Sequence, residues 1–266
     1  MQIPPFRPDK AYKDQEFLNS RDARTIRILS EYVQPLQRFR EEGIDSTIVF
    51  FGSARVKDAQ EADRALKAAQ NDGEARKIRA AERAVEISRY YEDAVTLARM
   101  LTEWSNGRPE GSRFAVCSGG GPGIMEAANR GASEAGGPSI GLNISLPFEQ
   151  YPNPYISDRL GFEFHYFFMR KYWFAYLAKA IVVLPGGFGT MDELMEVLTL
   201  IQTGKIGKPI PMVIYGTDFW DDVLSLDKMA EWGVISDSDL ELLKFIDTPD
   251  EAFHYLVGQL DSHSPG

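Results

Sequence analysis

The chain has 266 residues, 44% of them hydrophobic, and a single cysteine, Cys117. That length suits one large domain, and a formal net charge of −10 excludes a surface built to track a nucleic-acid polymer, while a small anion held by one arginine and a few backbone N–H groups stays open. No apolar run is long enough to cross a bilayer, the N-terminus lacks the basic start and apolar core of a secretory signal, and no intrachain disulfide can form, so the expectation is a cytoplasmic protein without a membrane partner.

Residues 1–24 are polar, with Pro4, Pro5 and Pro8, and read as an arm. Ile26–Phe39 has helical spacing (Ile26, Leu29, Tyr32, Val33, Leu36), with Pro35 marking a kink or break. This arm and helix, residues 1–45, precede a single domain over 46–266. Ser46–Val56 is a continuous apolar strand ending in Gly52-Ser53, the signature of a buried parallel sheet. Residues 57–105 are helix formers divided at Asn71-Asp72-Gly73, and they read as a helical insertion whose charged first half is solvated. Arg113–Gly137 gives strand, glycine turn and helix, and Pro138–Pro147 and Gly161–Phe167 give two further strands. Met169–Ala180 is predicted helical, Ala180–Gly187 a strand, Thr190–Ile206 a helix and Lys208–Gly216 a strand. Residues 217–266 read as C-terminal helices. Strands alternating with helices imply an α/β fold: a doubly wound parallel sheet with helices on both faces and ligands at the carboxyl ends of its strands.

Three glycine turns stand at such ends: Gly52-Ser53, Gly119–Gly123 and Gly186–Thr190. The second, in CSGGGPGIMEA, has the spacing Gly119-x-Gly121-x-Gly123, which differs from the dinucleotide fingerprint G-x-G-x-x-G, and no turn is followed by the Lys-Ser/Thr of a P-loop. It is either a ligand-hugging turn or a tight turn that holds nothing. In PGGFGTMDE, Thr190 reads as a helix N-cap with Glu193 three residues later, a capping box that needs no ligand; alternatively the Thr190 hydroxyl and nearby N–H groups meet a phosphate. Arg170 and Lys171 interrupt an aromatic stretch. Arginine suits bidentate oxyanion contacts, whereas lysine readily snorkels to the surface. Ser53 is either a plain turn residue or a ligand contact. Tyr151, Tyr155 and the prolines between Pro147 and Pro154 suggest a rigid loop near a pocket mouth. His165, His254 and His263 lack metal-ligand spacing, so no metal is expected, and Cys117 reads as an inert small hydrophobe.

SGGGPGIMEAANRGA (Ser118–Ala132), with Met169-Arg170-Lys171 and VVLPGGFGTMDEL (Val182–Leu194), resembles the LOG family, formerly labelled lysine decarboxylase. The family signature P-G-G-x-G-T-x-x-E is matched by Pro185, Gly186, Gly187, Gly189, Thr190 and Glu193, and its upstream Arg-Lys by Arg170 and Lys171. The resemblance covers residues 46–216. It implies a Rossmann-like nucleotide-binding fold over 46–266 and a phosphoribohydrolase that cleaves the N-glycosidic bond of a nucleoside 5′-monophosphate, AMP or a cytokinin riboside monophosphate, without a cofactor and as a homodimer or higher homo-oligomer. Glu193 and Arg170 are then catalytic. Gly186, Gly187, Gly189 and Thr190, with Ser53 and Lys171, seat the phosphate, and Gly120 and Gly121 close on the ribose. The alternative is a non-catalytic protein that binds a nucleotide or a molybdopterin-type cofactor. The sequence departs from the plant-type pattern at GGGPGIMEA and at the three residues before Arg170, both where a base would sit.

Overall fold

Among the described residues, seven short strands build the sheet: β1 Thr47–Phe51, β2 Ala115–Ser118, β3 Ser139–Ile144, β4 Gly161–Phe164, β5 Ala178–Val183, β6 Met212–Tyr215 and β7 Lys244–Ile246. The computed structural model describes residues 8–147 and 151–262; Pro4 and Pro5 of the arm, part of the proline loop after Pro147, and His263 lie outside the described residues. All pairings are parallel, in the order β4-β3-β2-β1-β5-β6-β7. The helices are α1 Gln15–Asn19, α2 Arg24–Glu41, α3 Ala59–Asp72, α4 Ala75–Asn106, α5 Ile124–Glu134, α6 Phe167–Leu177, α7 Phe188–Gln202, α8 Thr217–Val223, α9 Leu226–Glu231, α10 Asp237–Leu240 and α11 Pro249–Ser262.

Every residue of β1 is buried, and the two-residue period sends its side chains to opposite cores. Ile48 and Phe50 join Leu97 and Leu101 of α4, Ala128 of α5 and Leu256 of α11. Val49 and Phe51 join Phe39 of α2, Trp173 and Phe174 of α6 and Leu194 of α7. This is the doubly wound arrangement that the alternating pattern implies. β1 lies between β2 and β5, so the connection leaving β1 for β2 and the one leaving β5 for β6 diverge between these two strands. In open parallel sheets that divergence opens a crevice at the carboxyl ends of the strands.

Three expectations need correction. Pro35 neither breaks nor ends α2, which runs through it. The carbonyl its missing N–H leaves behind, that of Glu31, instead accepts from the Trp173 indole N–H at 3.0 Å. The stretch 57–105 is not wholly an insertion: α4 is the crossover from β1 to β2 and buries Tyr91, Leu97, Ala98 and Leu101, whereas α3 buries only Ala62. The C-terminal stretch is not all helix. Lys244–Ile246 forms edge strand β7, paired with β6, and three residues are too few to display a period.

The tightest helix contact is α4 against α5. A Cβ on Gly131 would strike the backbone carbonyl of Val95 and come within 3.0 Å of the Ala98 Cβ. Neither backbone can yield without moving a 32-residue helix. Gly131→Ala should therefore lower stability by about 1–3 kcal/mol, read as a fall in the urea midpoint with an unchanged slope.

Candidate active site

The turns that follow β1, β2 and β5 are tied together by their backbones. Ser53 N–H donates to the Pro185 carbonyl and Ile124 N–H to the Ser53 carbonyl, both at 3.0 Å. The β1 turn thus holds the start of α5 and the approach to α7 in fixed relation. Above them opens a cleft of about 660 Å³. Ser53, Gly187, Gly189, Thr190, Arg170 and Glu193 line it, as does Gly119.

The α7 entry differs from the capping-box expectation. Gly187 is the N-cap, its carbonyl accepts from Met191 N–H at 3.0 Å, and no side chain caps the helix. Thr190 is the third helical residue, buried, with its side chain against Gly186. Gly186 therefore packs behind the turn. The first-turn N–H groups have no intrahelical acceptor, and the space where side chains on Gly187 and Gly189 would project is open. That is the geometry of an anion seat on a helix N-terminus.

Glu193 is drawn away from the helix start by Arg170. Arg170 Nη2 donates to Glu193 Oε1 at 2.8 Å, with side chains 13% and 7% exposed. Its guanidinium lies 5.2 Å from the Phe167 ring centroid and 5.6 Å from that of Phe174, a stacked setting suited to arginine. Arg170 Nε is buried without a hydrogen-bond partner. A buried donor left unsatisfied costs about 1–3 kcal/mol, which a ligand oxygen would relieve. Burial pushes the Glu193 carboxyl above its usual 4.5, opposed by Arg170 and then Lys171. The cleft thus holds a desolvated carboxylate, a guanidinium with a spare donor and a helix N-terminus.

Other candidates fall elsewhere. Lys171 does not line the cleft; it pairs with Asp192 and Glu196, both at 2.8 Å. Gly120 and Gly121 stand behind the wall rather than in it. Their carbonyls accept from the Asn153 amide, both at 3.1 Å, and that amide also donates to Asn129 Oδ1 at 2.9 Å. Gly120 has φ 71°, and a side chain there would collide with Asn143. Tyr155 N–H bonds the Asn153 carboxamide at 3.2 Å, and Pro152 lines the cleft, so the loop does border the mouth.

Sequence reasoning passed over Arg55, Asn143 and Glu163, which also line the cleft. The signal for Glu163 was present: it alternates with buried Phe162 and Phe164 and accepts from Ser145 Oγ at 2.7 Å. Arg55 follows the Gly-Ser turn by two residues, and its N–H bonds Ser53 Oγ at 3.0 Å. Among the described residues no group of three His, Cys, Asp or Glu could hold a metal, and no helix is long and apolar enough to cross a membrane. Cys117 is buried, which pushes its thiol pKa well up and keeps it protonated.

A family model described as "Possible lysine decarboxylase" matches residues 125–256. The cytokinin riboside 5′-monophosphate phosphoribohydrolase LOG3 of Arabidopsis thaliana is 30% identical over 156 residues, 56% of this chain and 67% of its own length. The chain belongs to the LOG family. The family match carries both Arg170 and Glu193 and extends through α8 to α11, so the C-terminal helices are part of the shared unit rather than outside it. Two solved structures are also similar: the structural-genomics target TM1055 (20% identity, 80% of this chain, 99% of that chain, TM-score 0.49) and a molybdenum cofactor binding protein from Rippkaea orientalis (19%, 64%, 86%, 0.45).

Replacing Arg170 by Met should cost about 3 kcal/mol near neutral pH, because a buried carboxylate loses its cation. The folded-state pKa of Glu193, already raised, then rises further above the unfolded value. The folded state keeps a proton that the unfolded chain releases, so the Glu193 contribution to the variant's stability is fullest at low pH and is lost as pH rises through that window. Urea titrations of the variant and the parent at about pH 5 and about pH 8 should show the larger deficit at the higher pH.

Proposed function

We propose that this protein is a nucleoside 5′-monophosphate phosphoribohydrolase, hydrolysing the N-glycosidic bond of AMP or a cytokinin riboside monophosphate to free base and ribose 5-phosphate. The observation that carries this reading is the buried Arg170–Glu193 pair beside an open helix N-terminus. A site that only seats phosphate gains nothing from a desolvated carboxylate a few residues away, since that charge repels the anion. A site that must stabilise a sugar turning cationic does gain from it.

The 5′-phosphate would sit on the N–H groups at the start of α7, with Thr190 and Ser53 offering hydroxyls. The ribose would then lie towards Glu193. As the bond from C1′ to the base nitrogen breaks, the base leaves with the electron pair and takes up a proton. The sugar becomes oxocarbenium-like, and the Glu193 carboxylate stabilises that charge and accepts the proton of the attacking water. Arg170 holds Glu193 ionised and in place, and its free Nε–H is a donor for a phosphate or ribose oxygen. The catalytic form of Glu193 is the carboxylate, and its pKa is raised. Activity should therefore fall as pH drops through that raised value, an acid limb above the usual 4.5.

The relatives' names support the reaction class. The choice of AMP, and a homodimeric or larger assembly, are part of the proposal. An apolar stripe left exposed on α2, Ile26, Leu29 and Val33, supports the assembly. A panel of nucleoside monophosphates followed by chromatography tests the reaction. Wild-type protein should release base, and Glu193→Ala should lose at least about 100-fold in kcat while staying folded. Full activity in Glu193→Ala would defeat the catalytic assignment. Binding without cleavage across the panel would leave the nucleotide or molybdopterin-type binder.

A further inference from the structure

The turn between α1 and α2 meets the turn between β4 and α6 at a second depression, of about 410 Å³, lined by Arg21, Arg24, Arg27, His165 and Tyr166. Three arginines line it in a chain whose net charge is −10. Among the described residues none of the three forms an ion pair with a carboxylate. Arg27 and Arg24 are placed by other contacts. Arg27 Nη1 donates to the carbonyls of Leu18 and Ser20, both at 2.7 Å. The Arg24 guanidinium lies 5.7 Å from the Tyr166 ring centroid. The His165 ring meets the same tyrosine edge-on at 4.7 Å.

A carboxylate beside the depression, that of Glu31, is committed to backbone donors. Glu31 accepts from His165 N–H at 2.8 Å and from Tyr166 N–H at 3.2 Å, capping the approach to α6. Like charges gathered without an ion-pair partner repel one another, and an anion relieves that repulsion. Guanidinium forks match phosphate oxygens bidentately. Three of them exceed the charge of one phosphate and suit two joined ones. The small size of the depression and the acidic remainder of the surface disfavour a nucleic-acid strand, which needs a basic track.

We infer that this depression binds a compact polyphosphate anion, a small molecule bearing a pyrophosphate group, at a site separate from the Glu193 cleft. The inference stands on the arginine cluster alone and does not depend on the hydrolase reading. The two sites share one turn: the Tyr166 carbonyl accepts from Arg170 N–H at 3.2 Å, so the occupant touches the segment from which the Arg170 helix departs.

Inorganic pyrophosphate is titrated into the full chain at constant ionic strength while histidine side-chain NMR signals are followed. The His165 signals, assigned by their loss in His165→Gln, should move saturably, and those of His254 should not. The double variant Arg21→Gln/Arg24→Gln should bind at least about tenfold more weakly, since charge-assisted hydrogen bonds are lost, with an unchanged circular dichroism spectrum. Arg21→Gln alone, at an exposed position, gives a weaker form of the same loss if the double variant does not fold. Unmoved His165 signals at millimolar pyrophosphate overturn the inference, as does undiminished binding by the arginine variants. Orthophosphate binding as tightly as pyrophosphate overturns the assignment of two phosphates.

Discussion

The buried ion pair between Arg170 and Glu193 is the contact on which the site depends. It joins α6 and α7, the two helices that flank β5 in the chain. Next to it, Lys171 bridges Asp192 and Glu196 between the same helices, with its lysine 16% and Asp192 54% exposed. Adjacent residues thus carry two versions of one linkage: the arginine version faces the cleft and is desolvated, and the lysine version faces outward. The outer linkage is worth little in stability. The inner one carries a desolvation cost that an apolar pair of similar volume would avoid, so its value lies in presenting charge to whatever enters.

The rest of the fold serves to hold those two helices against three turns. β1 contributes side chains to both cores, and its turn bonds to the approaches of α5 and α7. Both long-range backbone bonds of that turn involve Ser53, so a strain at β1 would be felt at the glycine turn and at the anion seat together. Pro35 and Trp173 show the same economy on the outer layer. A carbonyl that a proline would orphan is used to pin an α6 side chain three positions beyond Arg170.

Much of this was legible in the sequence. Apolar runs and glycine turns gave the strands of a doubly wound sheet, because buried parallel strands carry their own signature. The Thr190–Glu193 spacing left two readings open, since a capping box and a buried acid share one local pattern. What separates them is Arg170, 23 positions away in sequence and close only through β5. Lys171 matched the family pattern beside Arg170, but helix geometry turns neighbours about 100° apart, and the lysine takes the outward face that its snorkelling reading offered. Asn153 was invisible for another reason: beside a proline it reads as a turn former, and nothing local shows that its amide is spent on two glycine carbonyls. β7 was lost because a three-residue edge strand inherits its structure from β6.

The Asn153 linkage divides the labour within its loop. Asn153 is buried and anchors the segment to the glycine turn, while its neighbour Pro152 forms part of the cleft wall. Anchor and wall are therefore separate residues, one apart. The wall can be resculpted by substitution at Pro152 without loosening the attachment, so this loop is a modular insert through which the cleft could acquire a new selectivity while its charged floor stays as it is.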